Sequence, residues 1–170
     1  FSSEPLKLTD IAQILWAAQG VTSANGQRTS PSAGALYPLE IYLISGRQPE
    51  LKAGVYRYQP SKHSLSQISK GDLRTKLARA GLNQRAITEA PATVAIFAVF
   101  ERTTAKYGPR GRRYVHLEAG HSAQNISLQA VALGLGSVVI GAFHDSDIQR
   151  LVGTASSEQP LYLIPIGTPK

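Results

Sequence analysis

The sequence predicts an α+β fold, a central mixed or antiparallel sheet flanked by helices, and three observations carry that reading. Strand-like and helix-like segments interleave without a strict β-α repeat, which argues against a doubly wound sheet. Residues 92–100 are apolar on both faces and so belong in the buried centre of a sheet. Residues 114–135 carry Leu117, Gly120, Gln124, Ser127 or Leu128, and Val131 near helical spacing, which makes this the longest helix of the 170-residue chain.

In chain order, Thr9 or Asp10 can cap a first helix whose apolar face is Ile11, Ile14, Leu15 and Ala18, with Gly20 as a left-handed terminator. Trp16 lies off that stripe and either broadens the core face or meets a neighbour. The polar, glycine-bearing stretch 21–30 then delivers Arg28, Thr29 and Ser30 to a small-residue turn, Pro31-Ser32-Ala33-Gly34-Ala35-Leu36-Tyr37-Pro38. Residues 41–44 read as a strand, and 55–58 pairs with 64–68 as an edge hairpin across a turn at 59–63. Leu73, Leu77 and Ala80 mark a short helix closed by Gly81, and 83–89 a second one stopped by Pro91. After the central strand comes a basic loop, 101–113, and then the long helix, ended by Gly134-Leu135-Gly136. A strand follows over 137–140, then a short helix with Ser146 and Gln149 as a capping box, and a last strand over 161–166.

Composition sets the outer bounds. Hydrophobic content of 42% and charged content of 17% fit a single domain over 1–170 with a real core. No apolar run approaches a membrane span and no leader is visible, so no membrane partner is expected and the cytoplasm is the default location. Zero cysteines exclude disulfides, thiolate metal sites and a cysteine nucleophile. The net charge of +7 invites a polyanion. Its densest part, Arg102, Lys106, Arg110, Arg112 and Arg113, lacks the stacking aromatics or recognition helix of a nucleic-acid binder, so no nucleic-acid partner is expected.

Motif by motif, much is excluded. Gly134-Leu135-Gly136 followed by Gly141 has the order helix, glycines, strand, the reverse of a dinucleotide fingerprint. His116 and His121 are five apart, off the one-turn spacing that two imidazoles need to share a metal, so no metal site is expected. Two features remain. The turn at 31–38 lets backbone come close to something flat. Lys106-Tyr107 sets an amine beside a phenol, and the surrounding arginines would disfavour the ammonium form, as a proton-transfer site needs; a surface lysine beside a half-buried tyrosine is the alternative.

Several ordered motifs resemble one family. Residues 28–40, Arg-Thr-Ser-Pro-Ser-Ala-Gly-Ala-Leu-Tyr-Pro-Leu-Glu, resemble the signature of SagB-type dehydrogenases, a branch of the FMN-dependent nitroreductase superfamily. Leu15-Trp16-Ala17-Ala18-Gln19-Gly20 resembles the family's first helix, Glu118-Ala119-Gly120-His121-Ser122-Ala123-Gln124-Asn125 its central helix, and 134–143 its flavin-facing strand end. The resemblance implies a nitroreductase-like fold and a homodimer with FMN at the subunit interface. The cofactor-binding residues it implies are Arg28, Ser30, Pro31, Ser32, Ala33, Gly34, Tyr37, Ile140, Gly141 and Ala142, with backbone N–H groups at 141 and 142 near the flavin N5 region. It makes Lys106 the general base and Tyr107 its assistant in oxidising thiazolines or oxazolines of a modified peptide to azoles. A small-molecule substrate in an NAD(P)H-dependent nitro- or flavin-reductase is the enzymatic alternative, and a non-catalytic dimeric scaffold with weakened FMN binding the other. The family's arginine-serine-arginine motif would precede Phe1, and its basic residues would follow Lys170, so either the chain is trimmed at both ends relative to the family or its FMN binding is weak or lost. Arg28, the 110–113 cluster and Lys170 are the candidate substitutes for gripping the phosphate.

Overall fold

The computed structural model describes residues 1–46 and 48–170. Its elements run α1 (Leu8–Gln19), β1 (Leu39–Ser45), β2 (Gly54–Gln59), β3 (Ser64–Lys70), α2 (Arg74–Ala80), α3 (Arg85–Glu89), β4 (Ala92–Ala98), α4 (Glu101–Tyr107), α5 (Gly111–Ala132), β5 (Gly136–Ser137), α6 (Asp145–Val152) and β6 (Gln159–Gly167). The strands form one sheet in the order β3-β2-β1-β4-β6-β5, every pair antiparallel.

Strand alternation explains the layers. On β1 and β4, Leu39, Ile41, Leu43, Val94 and Ile96 enter one core, where Ile11, Ile14 and Leu15 of α1 and Val115, Ala119 and Ile126 of α5 meet them. The alternate residues Tyr42, Ile44, Ala95 and Phe97 enter a second core, filled by Leu77 of α2, Ile87 of α3 and Ile148 and Val152 of α6. Helices thus cover both faces, which is why all of β4 is buried although its pairings are antiparallel. The hairpin β2–β3 forms the sheet edge as its pattern predicts, with β3 mostly exposed.

Several local expectations are corrected. Neither Thr9 nor Asp10 caps α1, which starts at Leu8; the Leu8 N–H donates to the Glu50 carboxylate at 3.3 Å, so the cap comes from a distant loop. Gly20 is extended (φ −61°, ψ 145°) rather than left-handed, and a Cβ there would run into the indole of Trp16, which stays 38% exposed. The basic stretch 101–113 is helical: α4 and a 3-10 turn at Gly108–Arg110 lead into α5, which begins at Gly111 and ends at Ala132, just before Gly134 turns left-handed (φ 73°). The strand expected over 137–140 shrinks to Gly136–Ser137 plus a single bridge from Ile140 to Leu163. Val138 donates to Pro165 at 3.2 Å, and a proline has no N–H with which to return the bond. Helix α6 begins at Asp145, and Ser146 forms no cap.

Candidate functional site

The segment 28–37 is held from below by the α1–α5 contact. Ser30 is fully buried; its hydroxyl donates to the Ala18 carbonyl at 2.9 Å, which Ser122 of α5 also reaches at 3.0 Å. Asn125, one turn along α5, donates to the Ser30 hydroxyl (3.1 Å) and the Thr29 carbonyl (3.3 Å). Arg28 is half-buried: its guanidinium donates to Gln19 Oε1 at 3.0 Å and lies over the Tyr37 ring, 4.3 Å from the centroid. Burial lowers its pKa, against Tyr37, Glu40 and Glu118, which raise it.

The turn itself is bent tightly. Gly34, Ala35 and Tyr37 all have positive φ (63°, 53° and 46°), two of them at residues that rarely adopt it. The Ser32 hydroxyl accepts the Tyr37 N–H at 2.9 Å, while Arg102 of α4 donates to the Tyr37 carbonyl at 3.1 Å and pairs with Glu40 at 2.6 Å. Both backbone ends of Tyr37 are therefore fixed by side chains.

Lys106 and Tyr107 come to this turn. A Cβ on Gly34 would lie 2.8 Å from the Tyr107 hydroxyl and 3.1 Å from Lys106 Nζ. Tyr107 meets Tyr114 edge-on at 5.2 Å. Tyr114, Leu117, Glu118 and His121 of α5 face Pro31, Ser32 and Ala33 across an open groove of about 290 Å³. Glu118 is 3% exposed, and its Oε1 has no partner among the described residues. Burial raises its carboxyl to about 7, against the Ser32 hydroxyl beside it and Arg28, both of which favour the charge.

Gly141 does not join this groove. It lines a second one of about 260 Å³ with His116, Ala119, Phe143, Asp145 and Tyr162, and the two share no residue. Ile140 is buried in the second core with its N–H and C=O both bonded to Leu163, so it aims the following residues. Gly141 and Ala142 are exposed, and their N–H groups donate to no described residue; the Ala142 carbonyl is fixed by Gln84 at 2.8 Å.

Of the other expected contributors, Lys170 pairs with Glu89 at 3.5 Å and Arg112 stacks on Phe100 at 4.5 Å, away from the groove, whereas Arg110 stands 6.0 Å from the ring of Tyr114 in its lining. Glu118 and Gln19 are site-forming residues to which the sequence alone assigned no role, and Arg102, read only as part of the basic cluster, fixes the turn. The spacing of Tyr114, Glu118 and His121 on one helical face was the available signal. Among the described residues no cluster could hold a metal, and no helix is long and apolar enough to cross a membrane.

The sequence profile of the nitroreductase family matches residues 1–168. The chain belongs to the nitroreductase family. With that family it is assigned to the oxidoreductases, and its sheet flanked by helices is the nitroreductase-like fold. It is 47% identical over 167 residues to MJ1384 of Methanocaldococcus jannaschii, a provisionally named nitroreductase, covering 98% of this chain and 83% of that one. It is 29% identical over 129 residues to the microcin B17-processing protein McbC of Escherichia coli, covering 73% of this chain and 47% of McbC. A chain of the E. coli microcin synthetase McbBCD complex with truncated pro-MccB17 bound superposes with a TM-score of 0.87 at 26% identity. That match covers 98% of this nitroreductase-family chain and 65% of the synthetase chain. The chain thus spans about half of McbC and just under two thirds of the synthetase chain.

Proposed function

We propose that this nitroreductase-family chain is an FMN-dependent dehydrogenase that oxidises thiazolines or oxazolines in a modified peptide to azoles, acting as a homodimer. The observation that carries the reading is the meeting of Lys106 Nζ and the Tyr107 hydroxyl at Gly34, beside the wall formed by Pro31, Ser32 and Ala33. A proton acceptor is of use to such a reaction only where the oxidised carbon lies against the cofactor, and this pair is set at the edge of that wall.

The residues present fit a flavin. The wall is made of small side chains that a flat ring can approach, and the groove beside it is polar at Glu118. Gly141 and Ala142 offer two unspent N–H donors on exposed backbone, the kind of group that stabilises an electron-rich ring. Because the wall and these donors line separate grooves, a shared site needs the donors of a second copy. Leu117, Leu128 and Val131, exposed on α5 by 51%, 61% and 73%, give that copy an apolar face to cover.

In this reading bound FMN would supply the acceptor for two electrons and one proton of the azoline ring. Lys106 would take the second proton, with Tyr107 holding the amine in line. Arg28, capped by Gln19 and Tyr37, supplies positive charge near the wall. The McbC and McbBCD similarities support the peptide substrate, since the names of those proteins tie them to microcin B17. A second reading, a nitro- or flavin-reductase driven by NAD(P)H, is favoured by the 47% identity to MJ1384.

The test is the visible spectrum of the purified protein titrated with FMN, followed by activity. Absence of bound flavin at concentrations where the protein is folded would leave only a non-catalytic scaffold. With flavin bound, Lys106→Ala should abolish azoline oxidation. If the variant instead keeps azoline oxidation, Lys106 is not the base; if the wild type reduces nitro compounds but oxidises no azoline, the reductase reading stands.

A further inference from the structure

Among the described residues Glu118 is the one acidic side chain in the groove beside Pro31, Ser32 and Ala33, and the reaction proposed above does not use it. The residue is 3% exposed, and its Oε1, itself buried, lacks any partner among the described residues. A buried carboxylate with an unpartnered oxygen is costly, whereas a carboxylic acid with one acceptor to meet is not.

The groups around it come from three directions. Segment 28–37 brings Arg28, Tyr37 and the Ser32 hydroxyl; its own helix brings Tyr114 and His121; α4 brings Lys106 and Tyr107 beyond Gly34. Behind Arg28, the end of α1 presents Gln19, which is neutral and whose amide nitrogen is also buried without a partner among the described residues. Arg28 is the cation that acts on Glu118, and it is already engaged by the Gln19 oxygen and the Tyr37 ring. Burial thus outweighs the support that the Ser32 hydroxyl and the shared Arg28 give the charged form, and any flat occupant that removes the remaining water from the groove weakens it further.

We infer that Glu118 meets the occupant of this groove as a neutral carboxylic acid, taking up one proton when the occupant covers it. This rests on the flavin reading above, and the ligand class is a flat heteroaromatic ring bearing carbonyl or ring-nitrogen acceptors. The same group in a permanently charged state would repel such acceptors. Proton uptake is thus part of binding, and affinity falls as pH rises above neutrality.

The experiment is titration calorimetry with FMN and, separately, with riboflavin, which lacks the phosphate that itself titrates. Each is run at pH 7.5 in two buffers of different ionisation enthalpy, with Kd followed to pH 9. Uptake of up to one proton is expected with both flavins, and Kd should rise by up to about tenfold per pH unit. Glu118→Gln should bind with a flat pH profile and no uptake, while His121→Asn should retain the pH dependence and the uptake. Infrared difference spectra of the wild-type complex against the free protein read the same event without a variant, as a gain of protonated carboxyl. No uptake, uptake confined to FMN, unchanged uptake in Glu118→Gln, or no gain of protonated carboxyl overturns the inference. If neither flavin binds the wild type, the flavin reading falls and this one with it; binding without proton linkage overturns this one alone.

Discussion

Gly34 is held against Tyr107: its α-carbon faces the phenol so closely that one added methyl would come within 2.8 Å of the hydroxyl oxygen. Gly34 also has φ of 63°, and the next residue, Ala35, is left-handed as well. The glycine is therefore required twice, for its backbone conformation and for the room it leaves to Tyr107 and Lys106.

Gly34→Ala should accordingly cost about 1–2 kcal/mol of stability, from the left-handed backbone and the displaced phenol together. Its larger effect should fall on turnover, because the phenol and amine are pushed off the wall by a fraction of an ångström to an ångström. Urea midpoints and steady-state rates, measured on one preparation, separate the two. A variant with full azoline oxidation would show that the approach of Tyr107 to residue 34 is not used in the reaction.

Asn125 joins the long helix to the wall through the Ser30 hydroxyl and the Thr29 carbonyl. Removing its amide leaves the buried Ser30 with its single bond to Ala18. Asn125→Ala should destabilise the protein by about 1–2 kcal/mol and loosen 28–37, weakening flavin affinity. Ser122→Ala, which removes a bond to the same Ala18 carbonyl from further along, should cost stability by about 1 kcal/mol with affinity little changed. Chemical denaturation and flavin titration of the pair check the distinction.

Glu118 also predicts how stability depends on pH. Its carboxyl titrates near 7 in the folded chain, above the 4.5 of a free glutamate, because it is buried. Between those values the folded state keeps a proton that the unfolded state has released. Its contribution is therefore full below about 4.5 and is lost as pH rises through 7, up to about 2–3 kcal/mol. Glu118→Gln removes this dependence. Relative to wild type it should gain stability steadily from pH 5 to pH 7.5, by about 2 kcal/mol, in urea unfolding followed across that range.

Much of the scaffold could be read from the residues because local pattern and burial agree there. The run 92–98 is apolar at every position but Thr93, and it lies between two helical layers. The turn at 31–38 announces itself through its prolines and small residues. What escaped the reading depends on distant partners. The cap of α1 is Glu50, and Tyr37 is left-handed with its backbone held by Ser32 and Arg102. The basic stretch 101–113 reads as a solvated loop until Arg102 is seen to pair with Glu40 and Arg112 to stack on Phe100, which leaves it free to be helical. Glu118 looks like an ordinary helical acid in sequence, and only the packing of 28–37 over α5 buries it.

The exposed face of α5 gives the test of assembly. Val131 is 73% exposed and Leu128 61%, positions where a charge in an isolated subunit should change stability by no more than about 0.5 kcal/mol. If this face is covered by a second copy, an aspartate at Val131 must be buried without a partner, and the association should fail. Val131→Asp should therefore sediment as a monomer at concentrations where the wild type is a dimer. It should also lose flavin, because the wall at 31–33 is then separated from the N–H donors of Gly141 and Ala142. A variant that stays dimeric and keeps flavin would move the interface elsewhere on the molecule. One that becomes monomeric yet keeps flavin would show that a single copy completes the site.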